Sequence, residues 1–288
     1  MREHISIDEL LKQGDSLPTL PEIYFKVSSL LEDKDASTDE IGRVIATDPA
    51  ISYKILTMVN SAYFGLPNEV FSINQAILLL GRFRIKQILI GTLLGDVFKG
   101  FNSEFFSLRD FWQHSIRTAI IAEQLAIISD YGEEPETIFT AGLLHDVGRL
   151  ILAAKMPEVL PVIEQHAIDN RQSIVRAEIE IVGLAHTEIG AALMQKWDFP
   201  ELIWVSVNNH HRADYSGPFF QVTRLVCLAN QLAQYPTPVD EDDMQQILHN
   251  IPNWEDADAS VEYLLKTCQR AESLVYEVAS SLGLSHNK

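Results

Sequence analysis

Along this chain apolar residues return every three or four positions nearly everywhere, the spacing that gathers them on one face of a helix. Helix starts can be read repeatedly. Thr19 with Glu22 fits a capping box with Pro21 tolerated in the first turn; Ser37 with Glu40 and Ser72 with Gln75 are two more, and Asp48 before Pro49 is an N-cap followed by proline at the first helical position. No segment alternates convincingly with the two-residue period of a strand. The pattern predicts an all-α fold.

Between Lys99 and Asp110 ("KGFNSEFFSLRD") the periodicity lapses. The expected division is therefore an N-terminal helical lobe over residues 1–105 and a larger lobe over 106–288. In the second lobe the pattern predicts helices near 108–129, 136–154, 158–170, 173–180, 184–197, 200–210, 219–234, 240–249 and 258–282. The acidic run "VDEDD" before Met244 reads as a loop and helix N-terminus, where carboxylates suit the dipole.

Composition narrows the class. With 47% hydrophobic residues, 288 positions are enough to bury one large core or two modest ones. Twenty-two basic residues against forty acidic ones leave a net charge of −18, a field that repels phosphate backbones and anionic lipid, so neither a nucleic acid polymer nor a membrane surface is an expected partner. The start, "MREHISIDELLKQGDS", puts acids and polars where a secretory apolar region would be. The stretch "INQAILLLGRFRIKQILIGTLLGDVF" is interrupted by Arg82, Arg84 and Lys86, so it does not read as a membrane span. Cys227 and Cys268 stand far apart without a CxxC, which fits a reducing compartment; the expectation is a cytoplasmic protein.

The candidate chemistry sits in histidines. Of nine, His114, His145, His186, His210 and His211 stand on or at the ends of expected helices among apolar neighbours, whereas His4, His166, His249 and His286 read as ordinary surface or core residues. Several imidazoles with Asp146 between helices would be costly to bury unless something satisfied them, and a metal does so directly. Imidazole nitrogen and carboxylate oxygen suit divalent first-row ions such as Fe, Mn, Ni or Zn, and the two oxygens of Asp146 could bridge a pair. Asp110, four residues before His114, is either a further ligand or the acceptor that fixes the imidazole tautomer, with helix N-terminal capping as the competing reading. Arg149, one turn after His145, would aim a fixed charge at a bound phosphate or else form a surface ion pair. Gly183 and Gly190 bracket His186, a placement that permits close helix approach.

These segments resemble the HDOD family, relatives of the HD-domain metal-dependent phosphohydrolases that serve as signalling output modules in bacteria. The likeness rests on "LPTLPEIYFKVSSLL", "IGRVIATDPAISYKILTMVNSAYFG" and "SINQAILLLGRFRIKQIL" in the first lobe. In the second it rests on "FWQHSIRTAIIAEQLA", "FTAGLLHDVGRLIL" and "AHTEIGAALMQKWDFPELIWVSVNNHH", for a total reach of roughly residues 17 to 235.

By that resemblance His114, the pair His145-Asp146, His186 and the pair His210-His211 occupy ligand positions, and Arg149 stands where the HD-GYP motif has a lysine. Two departures follow. The aspartate on a late helix of HD proteins is replaced by Asn230, which removes a charge from one ion position. After His211 the chain reads "RADYSGPFF", without the GYP pattern of cyclic-di-GMP phosphodiesterases. The resemblance implies a signal-transduction protein with a binuclear site that hydrolyses a smaller phosphoester or nucleotide. In that mechanism Asp146 bridges, the histidines hold two ions, a water is activated and Arg149 steadies the phosphate. The alternative it implies is a non-catalytic module that senses metal or nucleotide in the same pocket and docks a signalling protein.

Overall fold

The structure, a computed structural model, describes residues 6–7, 10, 20–98, 104–129 and 135–284. Among these the regular elements are helical and no β-strand occurs. The chain divides into two compact units, Pro18–Gly100 with Arg270–Lys288, and Phe101–Gln269 with Met1–Leu17.

The first of these holds α1 (Glu22–Glu32), α2 (Thr38–Ile45), α3 (Pro49–Val59) and α4 (Ile73–Val97). The expected caps are in place from Ser37 onward. Ser37 Oγ accepts from the Glu40 amide at 3.1 Å, Asp48 Oδ1 takes the amides of Ala50 and Ile51 at 2.9 and 3.1 Å, and Ser72 Oγ takes that of Gln75 at 3.2 Å. Thr19 lies outside the described residues; α1 starts from Pro21 without a side-chain cap.

α4 is two helical segments. Gly81 has φ 80° and ψ 167°, a conformation that a side chain disfavours, and it separates a first part that buries Ile73, Ala76 and Ile77 but exposes Leu78 and Leu79 from the buried Ile85, Ile88, Leu89, Leu93 and Leu94. Just past the bend, Arg82 donates to the carbonyls of Asp33 and Ala36, tying the α1–α2 loop to α4. The same unit takes in the C-terminal residues, where Leu282 packs against Gly91, Leu284 against Gly95, and Glu277 Oε1 accepts from the Ala62 amide at 2.5 Å. This differs from the expected division at 105/106, because glycine on α4 leaves room for a distant apolar segment that periodicity cannot place. The expected junction itself falls partly on residues 99–103, outside the described residues.

The second unit is built from α5 (Leu108–Ile128), α6 (Pro135–Leu144), α7 (Val147–Lys155), α8 (Leu160–Asn170), α9 (Ile174–Val182), α10 (His186–Lys196), α11 (Glu201–Asn209), α12 (Phe220–Gln234) and α13 (Glu241–His249). The last helix, α14 (Val261–Ser281), is shared between the units at Gln269. Trp112, Ile116, Ala119 and Ile120 form the buried stripe of α5, which packs against α6 and α12. Asp240 caps α13 by accepting from the Asp243 amide at 3.0 Å, as the acidic run predicted.

The apolar run Pro135–Lys155 is long and hydrophobic enough to cross a membrane, yet most of it is buried inside this unit as core. Sequence periodicity predicts one helix over 136–154. The chain instead breaks it at His145-Asp146 into α6 and α7.

Candidate metal centre

That break sets the centre of the site. Asp146 takes the N-cap position of α7 with φ −100° and ψ 9°, but its side chain caps nothing. The carboxylate, only 4% exposed, faces inward among imidazoles. His145 and His210 are placed alike, each just past the C-terminus of a helix. There each ring donates from Nδ1 to the carbonyl three residues back, Gly142 and Val207 respectively, both at 2.7 Å. Terminal helix carbonyls lack intrahelical partners, so these bonds satisfy them and fix both rings at once.

His186 opens α10 and is held by a residue that the sequence reading passed over. Glu178, buried on α9, accepts from His186 Nδ1 at 2.7 Å and from the His186 backbone amide at 2.9 Å with the same oxygen, Oε2. A signal was present: within "IVRAEIEIV" Glu178 follows Ala177 on the face that also buries Val182, an acid where the helix pattern asks for apolar. Such a carboxylate behind an imidazole orients the ring and raises its basicity toward a metal.

Carbonyls and carboxylates only accept, so in His145, His186 and His210 the Nδ1 carries the proton and Nε2 presents its lone pair. Those lone pairs converge. His186 Nε2 lies 3.4 Å from His210 Nε2 and 3.2 Å from that of His211, and the His186 and His210 nitrogens stand 3.2 and 3.3 Å from Asp146 Oδ1. With these tautomers no ring donates to Oδ1, which is a buried carboxylate oxygen without a hydrogen-bond partner. Electron pairs this close repel unless a proton or a cation lies among them. The donor set fits a metal ion.

The ligand atoms form two groups that share Asp146. Asp146, His186, His210 and His211 offer four donors, and His114, His145 and Asp146 offer three; within each group the atoms lie within 4.8 Å of one another. The two carboxylate oxygens divide between them. Oδ1 faces His186 and His210, while Oδ2 stands 3.5 Å from His145 Nε2 and 4.0 Å from His114 Nε2.

Asn230 joins the second group from α12, its Oδ1 3.1 Å from His114 Nε2 and accepting also from Gln234 at 3.1 Å. Arg149 reaches the site too: Nη1 is 3.6 Å from Asp146 Oδ2, and Nη2 is 3.8 Å from the exposed Glu164. Asp110 does not join. It lies exposed in the first turn of α5, outside both groups, and Ser107 rather than Asp110 takes the N-cap, accepting from the Asp110 amide at 3.2 Å. One turn of helix carries its carboxylate back toward the N-terminus and solvent. His166 pairs with Glu180 at the surface, and His4 and His286 lie outside the described residues.

Gly148 lets α7 and α10 meet. A Cβ there would stand 1.9 Å from the His186 carbonyl oxygen and 2.8 Å from the Gly190 amide nitrogen, so only glycine brings Asp146 and His186 together. Gly190 faces it from α10, where a Cβ would stand 3.3 Å from the Gly148 amide nitrogen, whereas Gly183 ends α9 in the left-handed conformation at φ 87°.

Burial sets the electrostatics. It pushes His145 down to about 3 against the pull of Asp146, and lowers His114 likewise. Burial would lower His186 as well, but the carboxylates of Glu178 and Asp146 outweigh it and raise the ring to about 9. Burial alone would raise Asp146; the surrounding His145, His186 and His210 hold it well below the usual carboxylate range. Without metal, therefore, His186 takes a second proton and shares it with Asp146. A cation would occupy the place of that proton.

The sequence profile of the HDOD domain matches residues 17–213. The chain belongs to the HDOD family. An HDOD domain protein of unknown function from Geobacter sulfurreducens superimposes with a TM-score of 0.74 at 23% identity, over 96% of this chain and 95% of that one, which shows the shared fold. A candidate phosphohydrolase from Shewanella amazonensis SB2B matches with a TM-score of 0.77 at 25% identity, over 95% of this HDOD chain and 97% of that chain. An uncharacterized protein of Treponema pallidum (strain Nichols) is 26% identical over 224 residues. The match takes in 77% of this chain but only 43% of the length of that relative.

Proposed function

We propose that this HDOD protein is a metal-dependent phosphohydrolase acting on a phosphoester or nucleotide at a binuclear centre of first-row divalent ions, Fe, Mn, Ni or Zn. One observation carries the reading: Asp146 is buried and places one oxygen in each of two histidine groups. A carboxylate serving only as a helix cap or surface ion would have no reason to do so.

Ions bound there would act as Lewis acids toward a phosphoryl oxygen and activate a water. The chain's own residues do the rest. His145, His186 and His210 hold their lone pairs inward through fixed Nδ1–H bonds, so little reorganisation is left for the moment of reaction. Arg149, about a third exposed and adjacent to Asp146 Oδ2, orients an incoming phosphate and neutralises part of its charge. The surrounding apolar helices strengthen each of these interactions by excluding water.

Asn230 favours a second reading, a non-catalytic module that senses metal or nucleotide in this pocket and passes the signal to a protein partner. Elemental analysis of protein purified without a metal-affinity tag, followed by a screen of phosphomonoesters and nucleotides, separates the two. Turnover that disappears in Asp146→Ala supports the hydrolase. Metal without any Asp146-dependent turnover gives the module, and no metal in an intact fold ends the hydrolase and leaves only a module that senses nucleotide.

A further inference from the structure

The two halves of the site are built unequally. The Asp146–His186–His210–His211 group has four donors, two of its rings are already locked in the ligating tautomer, and Glu178 adds a buried carboxylate behind His186. The other group has His114, His145 and Asp146, with the neutral amide of Asn230 as its remaining oxygen.

The second group is also closed on itself. His145 is locked through Gly142, so its Nε2 carries a lone pair. His114 Nε2 lies 3.2 Å from that lone pair and 3.1 Å from Asn230 Oδ1, both of which accept. His114 therefore carries its proton on Nε2, the nitrogen that faces the site. An ion there must move that proton to Nδ1 and break the contact with Asn230, and it gains no new negative charge in return.

Charge sharpens the contrast. Two dications would face two carboxylates, Asp146 and Glu178, and the second position has only its share of Asp146, with the Arg149 guanidinium 3.6 Å from the same Oδ2. An anion bound beside Arg149 would supply what Asn230 lacks.

We infer that the four-donor position fills first and that the His114–His145–Asn230 position takes its ion tightly only together with an anionic phosphate ligand, so that ligand and second ion bind cooperatively. The inference rests on the metal reading of the site. Coupling of this kind is reciprocal: the phosphate that tightens the ion is tightened by it to the same degree. A resting protein with one ion becomes binuclear when its ligand arrives.

The test is titration of the metal-stripped full chain with Mn2+, bound ions being counted by equilibrium dialysis and by the loss of the free-ion paramagnetic signal, with and without inorganic phosphate. Without phosphate one ion is expected to bind tightly and a second at least about tenfold more weakly; phosphate strengthens the second alone. Asn230→Asp keeps the oxygen that accepts from His114 and Gln234 and adds a charge, so its second ion is expected to bind at least about tenfold tighter and to lose most of its phosphate dependence. Two equal ions in the unmodified chain, or a weak second ion indifferent to phosphate, overturns the inference while leaving the metal site standing. No bound ion overturns the site itself.

Discussion

Glu178 grips His186 twice with one oxygen, accepting from the ring Nδ1 at 2.7 Å and from the backbone amide at 2.9 Å. The contact fixes both the first turn of α10 and the direction in which the imidazole points. Glu178→Gln keeps an acceptor but removes the charge. Metal affinity at the four-donor position is expected to fall about 10- to 100-fold, with the His114 position less affected. Calorimetric titration with Zn2+ or Co2+ measures it, and a Co2+ absorption spectrum that shifts with the substitution reports on His186 directly.

Asp146→Asn tests the shared carboxylate. Saturating metal at a hundred times its Kd should stabilise the unmodified chain by about 2.7 kcal/mol, and a chelator should remove that gain. The variant should show the same thermal midpoint with metal and with chelator, because both groups lose their charged donor together. A variant that still responds fully to metal would place the ion elsewhere.

Gly148→Ala is expected to destabilise the chain by about 1–3 kcal/mol or more, since its methyl group collides with backbone and not with a flexible side chain. Urea unfolding measures that cost. Bound metal should fall as well, because relief of the clash moves α7 from α10 and Asp146 from His186.

The metal-free protein should be less stable on both sides of neutrality. His145 is depressed to about 3 and His114 is lowered, so as pH falls below the ordinary value of 6.5 the unfolded chain takes up protons that the folded one refuses, and stability is lost. His186 is raised to about 9 and works the other way: its contribution is complete below 6.5 and disappears as pH rises through about 9. Urea midpoints in chelator between about pH 4 and about pH 10 should trace this dome. Glu178→Gln should flatten its alkaline side, and an unchanged alkaline limb would mean that His186 is not charged in the fold.

The helices and most caps were legible because period and capping residues are local properties. The five histidines, Asp146 and Asn230 were found by type and resemblance, and the structure brings all seven together. Three things were not legible, for physical reasons. The break at His145-Asp146 hides inside an apolar run whose period continues across it. Asp110 misled because four residues of spacing fix a helix face but not which end of the turn a short side chain reaches. Glu178 was overlooked because its partner lies eight residues away across the α9–α10 turn, and an acid on a helix ordinarily faces water.

The corner between α6 and α7 has one more effect. Residues 135–155 are as long and apolar as a bilayer-crossing segment, and His145-Asp146 falls at their midpoint. An aspartate at the middle of such a segment costs roughly 3 kcal/mol to place in a lipid interior. The pair at the centre of the candidate site thus also sets a cost against placing this run in a bilayer. Substituting both positions by leucine would remove that cost and leave Arg149 as the charge inside the run.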